Sequence, residues 1–222
     1  MNKNKQTGQV EDLVEKYHQQ KITKEEIIET LKSRKLTERD ILNWGPFGMY
    51  YILYAALCFL PGIAAATQWD FLNWFAQLQR IYFPNWAIYL ALALFVLAIP
   101  ITVAGITRNI KYGGVHSENE TILLMQEGIY GIIRHPSTLA LSIFFVTIPI
   151  FLSPYAPFTI LSVIGIIFII AFNYYACCKE EKVLDIKKWG DQYREYMRRV
   201  PRWNFILGLW RYFQRKTNQR KR

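Results

Sequence analysis

Long stretches of this 222-residue chain contain no charge. No Asp, Glu, Lys or Arg occurs in 41–69, 81–107 or 135–178, so all 27 basic and 17 acidic residues fall elsewhere. These gaps exclude an ordinary soluble domain and a disordered chain, although the mean hydropathy of +0.05 alone would fit a soluble protein. Cysteine is scarce: three residues, two of them adjacent at Cys177 and Cys178, which argues against a disulfide framework. His116, His135, Cys177 and Cys178 show no recognised ligand spacing, so no metal is expected. A G-x-G-x-x-G fingerprint is missing, which leaves a soluble nucleotide-binding fold without support. No signal peptide is expected either, because Met1 to Gln9 is polar and no apolar core follows.

What is present is apolar sequence long enough to cross a bilayer. A transmembrane helix needs about 20 apolar residues for roughly 30 Å of hydrocarbon. The expected fold is all-α: a polytopic membrane bundle of about four transmembrane helices, a cytosolic C-terminal helix and a small N-terminal helical extension. The spans are expected at about 46–66, 86–106, 137–153 and 157–178. The last two come from one uncharged stretch of 44 residues, too long for a single crossing and divided by Ser153-Pro154-Tyr155-Ala156-Pro157. Pro100 and Pro149 lie inside expected spans, where neighbouring helices can satisfy the freed carbonyls.

Charge orients the spans. Lys and Arg number nine in 1–45, one in 67–85, three in 107–137 and fourteen in 177–222. Four crossings then place both termini and the 107–137 loop in the cytosol. The Asn119-Glu120-Thr121 sequon falls in that loop and is expected to carry no sugar. Aromatics at helical spacing in 69–83 suit the outer interface. Residues 1–42 are expected to form a cytosolic amphipathic extension, with one stripe of Val10, Leu13, Val14 and Tyr17 and another of Ile27, Ile28 and Leu31. Thr23 with Glu26 fits a capping box, and Thr37 with Asp40 is a weaker version. Residues 43–222 form the membrane domain, ending in a soluble tail, 179–222. In that tail a helical stripe runs from Lys179 to about Arg199 and stops at Val200-Pro201. The aromatic and basic stretch after it suits an anionic membrane-lipid surface, and no nucleic-acid motif accompanies the net charge of +10.

Two polar islands flank the uncharged 44-residue stretch. The first is Glu127-Gly128-Ile129-Tyr130-Gly131-Ile132-Ile133-Arg134-His135-Pro136-Ser137, and the second is Lys179-Glu180-Glu181-Lys182. An antiparallel hairpin returns both to one side of the membrane, close enough to share a pocket. Pro136 is suited to a helix start, and the free N–H groups there attract an anion such as a carboxylate.

Gly128-Ile129-Tyr130, Arg134-His135-Pro136-Ser137, Glu180-Glu181, Trp189-Gly190-Asp191-Gln192-Tyr193-Arg194-Glu195-Tyr196 and Arg199-Val200-Pro201, in this order, resemble the isoprenylcysteine carboxyl methyltransferase family. More loosely, they are similar to membrane phospholipid N-methyltransferases. The match covers about residues 115–202. The resemblance implies an S-adenosylmethionine-dependent transferase acting on a lipophilic or lipidated acceptor, a prenylcysteine-like carboxylate being one option. By carry-over, the cofactor contacts are Leu123, Leu124, Met125, Gly128, Tyr130, Arg134, His135, Pro136, Ser137, Thr138, Glu180 and Glu181. Two positions depart from the pattern: Thr138 stands where the family often has Tyr, and Cys177 where eukaryotic prenylcysteine enzymes carry Arg. The acceptor is therefore not carried over, and no catalytic residue is assigned. A carboxylate acceptor needs no general base, whereas an amine must first lose a proton. The cofactor is expected to enter from the cytosol and the acceptor sideways between spans. The rival readings are a sterol-reductase-like NADPH enzyme and a non-enzymatic adaptor presenting residues 1–42 to a protein partner. Removing 1–42 is expected to spare a methyltransferase and disable an adaptor.

Overall fold

The computed structural model describes residues 8–37, 44–67, 69–108, 114–115 and 120–220. Thr37 with Asp40 and the Asn119 sequon therefore lie partly outside the described residues. The helices are α1 (Glu11–His18), α2 (Lys24–Ser33), α3 (Trp44–Thr67), α4 (Asn85–Arg108), α5 (Pro136–Phe151), α6 (Ile160–Glu180), α7 (Ile186–Arg199) and α8 (Phe205–Arg220). A π turn, Glu181–Asp185, joins α6 to α7. The only extended pairing among the described residues is a two-residue antiparallel bridge, Gly114–Val115 with Glu120–Thr121.

Three helical stretches are long and apolar enough to cross a membrane. They are Gly48–Thr67, Asn85–Arg108 and the continuous run Ile160–Arg199, whose apolar part ends at Cys178. The expected span at 137–153 is found as α5, whose 16 residues reach only about 24 Å at 1.5 Å per residue, less than the hydrocarbon thickness. Its end is set by a turn in which Tyr155 and Ala156 N–H groups both donate to the Leu152 carbonyl. The next helix begins at Ile160 rather than Pro157 because of a local cap. The Thr159 hydroxyl accepts from Leu161 N–H at 3.3 Å, while the Ser162 hydroxyl accepts from Thr159 N–H at 3.2 Å.

The described residues form two compact units, one drawn from 1–42, 101–137 and 177–222, the other from 43–100 and 138–176. In the second unit Tyr54, Cys58, Ile169 and Phe172 make an apolar core, with Tyr50, Tyr51 and Phe145 packed against it. Polar groups there are paired. Tyr54 donates to the Phe145 carbonyl at 2.6 Å, Tyr51 to Asn173 at 3.3 Å, and Asn173 to Ser142 at 3.0 Å. Pairing of this kind keeps polar side chains from being stranded in an apolar medium. Helix in 69–83 is confined to residues 70–76. Beyond it the Ile81 N–H leaves the helical ladder and donates to the Phe158 carbonyl at 2.8 Å. Trp69, Phe71, Trp74 and Tyr82 remain exposed.

In the first unit the capping box is present. Glu26 N–H donates to the Thr23 hydroxyl, and Thr23 N–H to the Glu26 carboxylate. Val10, Leu13, Ile27, Ile28, Leu31 and Leu36 are all buried, so the N-terminal helices have a packed apolar side rather than a solvated one. Their anchor is backbone: Gln9 N–H donates to the Lys187 carbonyl at 2.9 Å and Val10 N–H to the Lys188 carbonyl at 3.2 Å. These carbonyls are available because Gly190, at φ 53° and ψ −129°, interrupts the helical ladder of α7. A side chain is strained in that conformation, and glycine is not.

Candidate functional site

The π turn shifts the register of the side chains that follow α6. An α-helix continued through this point would keep its charges at helical spacing. The turn instead buries Glu181 completely, along with Leu184 and Asp185. The first polar island enters the same unit through a 3-10 turn, Gly128–Gly131, and then through Arg134 and His135 just before α5. Backbone bonds fix this approach: Arg134 N–H donates to the Pro201 carbonyl at 3.1 Å and His135 N–H to the Arg202 carbonyl at 3.5 Å.

Three cations close on one carboxylate. Arg134 Nη2 lies 3.2 Å and His135 Nε2 3.1 Å from Glu181 Oε1, while Arg202 Nη2 donates to Oε2. His135 Nδ1 also lies 3.7 Å from Glu180. Burial alone would raise the Glu181 pKa. Hydrogen bonds from His135 and Arg202 and the charges of His135 and Arg134 reverse that and hold it down at about 2. For His135 burial works against protonation. Contact with the Cys177 sulfur and with the carboxylates of Glu181 and Glu180 prevails, and its pKa stands well above the usual imidazole value.

Around this centre sits a second buried layer. Asp185 is buried, which pushes its pKa up, and it interacts with Lys188, itself buried, and with Tyr193. Lys188 Nζ donates to the Thr121 carbonyl at 3.3 Å, and the Trp189 indole N–H to the Ile122 carbonyl at 2.9 Å. Tyr196 donates to the Tyr130 carbonyl at 2.7 Å, fixing the 3-10 turn against α7. Arg215 of α8 secures the same region through the carbonyls of Arg199 and Gly131.

The expected site residues separate into three groups. Arg134, His135, Glu180 and Glu181 are brought together. Leu123 and Leu124 line a cavity of about 230 Å³ with Val10, Val14 and Trp189. The remaining positions lie elsewhere or are occupied structurally. The Tyr130 hydroxyl donates to the Gly105 carbonyl at 3.2 Å, and burial pushes its pKa up to about 12. Gly128, at φ +60°, lies against the Arg108 guanidinium, and Met125 is half-buried outside that cavity lining. Pro136 and Ser137 open α5, and the Thr138 carbonyl is the acceptor for the Ser142 hydroxyl.

Arg202 was not expected in the cluster, nor were Asp185, Lys188 and Tyr193 among the site residues. The available signal for Arg202 was a cation directly after the Val200-Pro201 stop. For Lys188 it was a charge next to the apolar stripe of Leu184, Trp189 and Tyr193. One feature is chemically open. Arg134 has 7% of its side chain exposed, yet its Nε and Nη1 have no hydrogen-bond partner. Two buried guanidinium nitrogens without acceptors are costly, and their chemistry matches an anionic group. Among the described residues no group of three or more His, Cys, Asp or Glu side chains is placed to hold a metal. Comparison with known proteins finds no family model, curated protein or solved structure that matches the chain.

Proposed function

We propose that this protein is an integral membrane S-adenosylmethionine-dependent methyltransferase acting on a lipophilic acceptor. Four spans and cytosolic termini accompany this reading, with α5 as the short fourth crossing. The observation that carries it is the buried cluster of Arg134, His135 and Glu181, formed where the chain enters α5 and leaves α6. A buried charged cluster in a chain that also carries long apolar helices suits an enzyme that joins a hydrophilic cofactor to a membrane-dissolved acceptor.

The residues fit the cofactor at two chemically distinct ends. Arg134 Nε and Nη1 are the open donors for an amino-acid carboxylate. The aliphatic walls of Leu123 and Leu124 suit an aromatic base. The bound cofactor supplies a methyl group on a sulfonium whose leaving group is already activated. The chain's own tasks are then alignment and exclusion of water. Glu181 holds Arg134 and His135 in position, and its two oxygens are already taken by internal cations. Its role in this reading is to orient those cations rather than to bind an ammonium group itself.

A second reading rests on the sign of the cluster. Arg134, His135 and Arg202 gather around Glu181, and three cations in one place also suit the phosphates of a reduced nicotinamide dinucleotide. Calorimetry on the purified protein with S-adenosylhomocysteine and with NADPH separates the two. Binding of the first and not the second supports the transferase; the reverse supports a reductase. Incubation with a labelled methyl donor, membrane lipids and prenylated peptides then identifies the acceptor. Failure to label any lipophilic product, with no homocysteine-nucleoside binding, overturns the proposal.

A further inference from the structure

The cavity that holds Leu123 and Leu124 has an opposite wall from a part of the chain far outside the family-like region. Gly8, Val10, Glu11 and Val14 face it from the N-terminal segment. We infer that residues 8–14 are part of the ligand site, forming the wall against which a purine base stacks. This rests on the methyl-donor reading above, and it replaces the expectation that residues 1–42 are dispensable for activity.

The segment is built in, not laid on. Two backbone bonds join Gln9 and Val10 to the carbonyls of Lys187 and Lys188. Gly8 approaches so closely that an added Cβ would meet the Lys188 carbonyl oxygen and come within 2.7 Å of Trp189 Cα. Val10 and Leu13 are buried beside it. From the other side Arg34 grips the turn, donating to the Gln9 carbonyl and forking onto both Asp12 oxygens at 3.0 Å. The wall is thereby held at both its backbone and its first helical turn.

The lining chemistry selects the ligand class. Val10, Val14, Leu123 and Leu124 give aliphatic surface, and Trp189 is fixed by its bond to the Ile122 carbonyl. Polar capacity comes from Glu11 and Gln192, which offer carboxylate and amide oxygens, and from Gln126, whose amide oxygen also accepts from Arg199; Lys188, likewise in the lining, has its ammonium on the Thr121 carbonyl. Apolar walls around a few acceptors fit a flat heteroaromatic group carrying an exocyclic amine. The volume of about 230 Å³ is below that of pockets for drug-sized ligands, which take about 300–1,000 Å³. It is therefore suited to one end of a ligand, not the whole.

Because the wall belongs to the N-terminal segment, ligand binding and segment docking reinforce each other by linkage. The test uses the full chain in detergent or nanodiscs, with S-adenosylhomocysteine and adenosine as probes. Hydrogen exchange of the amides of Gln9 to Val14 in the unaltered protein is expected to slow at least tenfold with saturating probe. Val14→Trp fills the cavity without touching the anchoring bonds and is expected to weaken both probes at least tenfold. Gly8→Val, which dislodges the segment, is expected to do the same. If the unaltered protein binds S-adenosylhomocysteine while exchange in 9–14 is unchanged and Val14→Trp binds equally well, the wall proposal is overturned and the donor reading stands. If the unaltered protein binds neither probe, both are overturned.

Discussion

Arg202 donates from Nη2 to the second oxygen of Glu181, leaving the first for Arg134 and His135. The cluster thus joins three separated parts of the sequence, the carboxylate's own included, and the turn after Pro201 is tied to the turn that ends α6. Breaking a buried pair by removing one partner costs roughly 3–5 kcal/mol, because the charge left behind cannot rehydrate. Glu181→Gln keeps the shape and removes the charge, stranding three cations. Its melting temperature in detergent should fall by several degrees, and Arg202→Met, which leaves Glu181 two partners, should cost less. Equal melting of all three proteins would show that the cluster contributes nothing to stability.

The same cluster sets a pH window. Glu181 has a folded pKa of about 2 against 4.5 for a free carboxyl, so its contribution is complete above about 4.5 and is lost as pH falls toward 2. His135 shifts the other way. Its folded pKa lies well above 6.5, so its contribution is complete below 6.5 and is lost as pH rises through the folded value. So far as Glu181 and His135 alone govern it, thermal stability should therefore be highest between about pH 4.5 and 6.5. Glu181→Gln should flatten the acidic limb and His135→Gln the alkaline one. Melting curves across pH measure both limbs, and a wild-type profile unchanged by either substitution would contradict the assignment.

Much of the architecture was legible because charge is segregated along the chain: the uncharged stretches at 41–69 and 81–107 contain most of α3 and α4. The Thr23–Glu26 cap was legible for a different reason, since both partners lie within one helical turn. What periodicity could not reveal depends on contacts between distant segments. The π turn at Glu181–Asp185 and the break at Gly190 leave the apolar stripe of the tail nearly intact, so the sequence looks like one continuous helix. Arg202 reads as a surface charge until the backbone beyond Pro201 bends back to Arg134 and His135. The N-terminal stripe showed that Val10 and Leu13 would be buried, but no local pattern could show that Gln9 and Val10 would pair with Lys187 and Lys188.

Gly190 gives the third prediction. Its φ of 53° with ψ of −129° is open to glycine alone, and holding another residue in such a region costs about 1–3 kcal/mol. Relaxing to helical angles instead would return the carbonyls of Lys187 and Lys188 to the helical ladder. Gly190→Ala should then both lower the melting temperature and increase hydrogen exchange at Gln9 and Val10. A loss of stability without faster exchange at those two amides would separate the strain from the docking.

Arg134 offers the sharpest distinction between a structural and a ligand-binding role. Lysine at this position keeps a positive charge within reach of Glu181 but removes the planar fork, including the Nε and Nη1 donors that have no partner in the protein. A residue that only neutralised Glu181 would tolerate the change. One that also receives a ligand carboxylate would not, because lysine has no donor at the positions of Nε and Nη1. Arg134→Lys should therefore melt within a few degrees of the wild type while binding S-adenosylhomocysteine at least tenfold more weakly, about 1.4 kcal/mol. Adenosine, which lacks the carboxylate, should bind both proteins equally. Parallel losses for the two ligands would mean that the substitution disturbs the pocket as a whole, and an unchanged affinity for S-adenosylhomocysteine would remove Arg134 from the binding site.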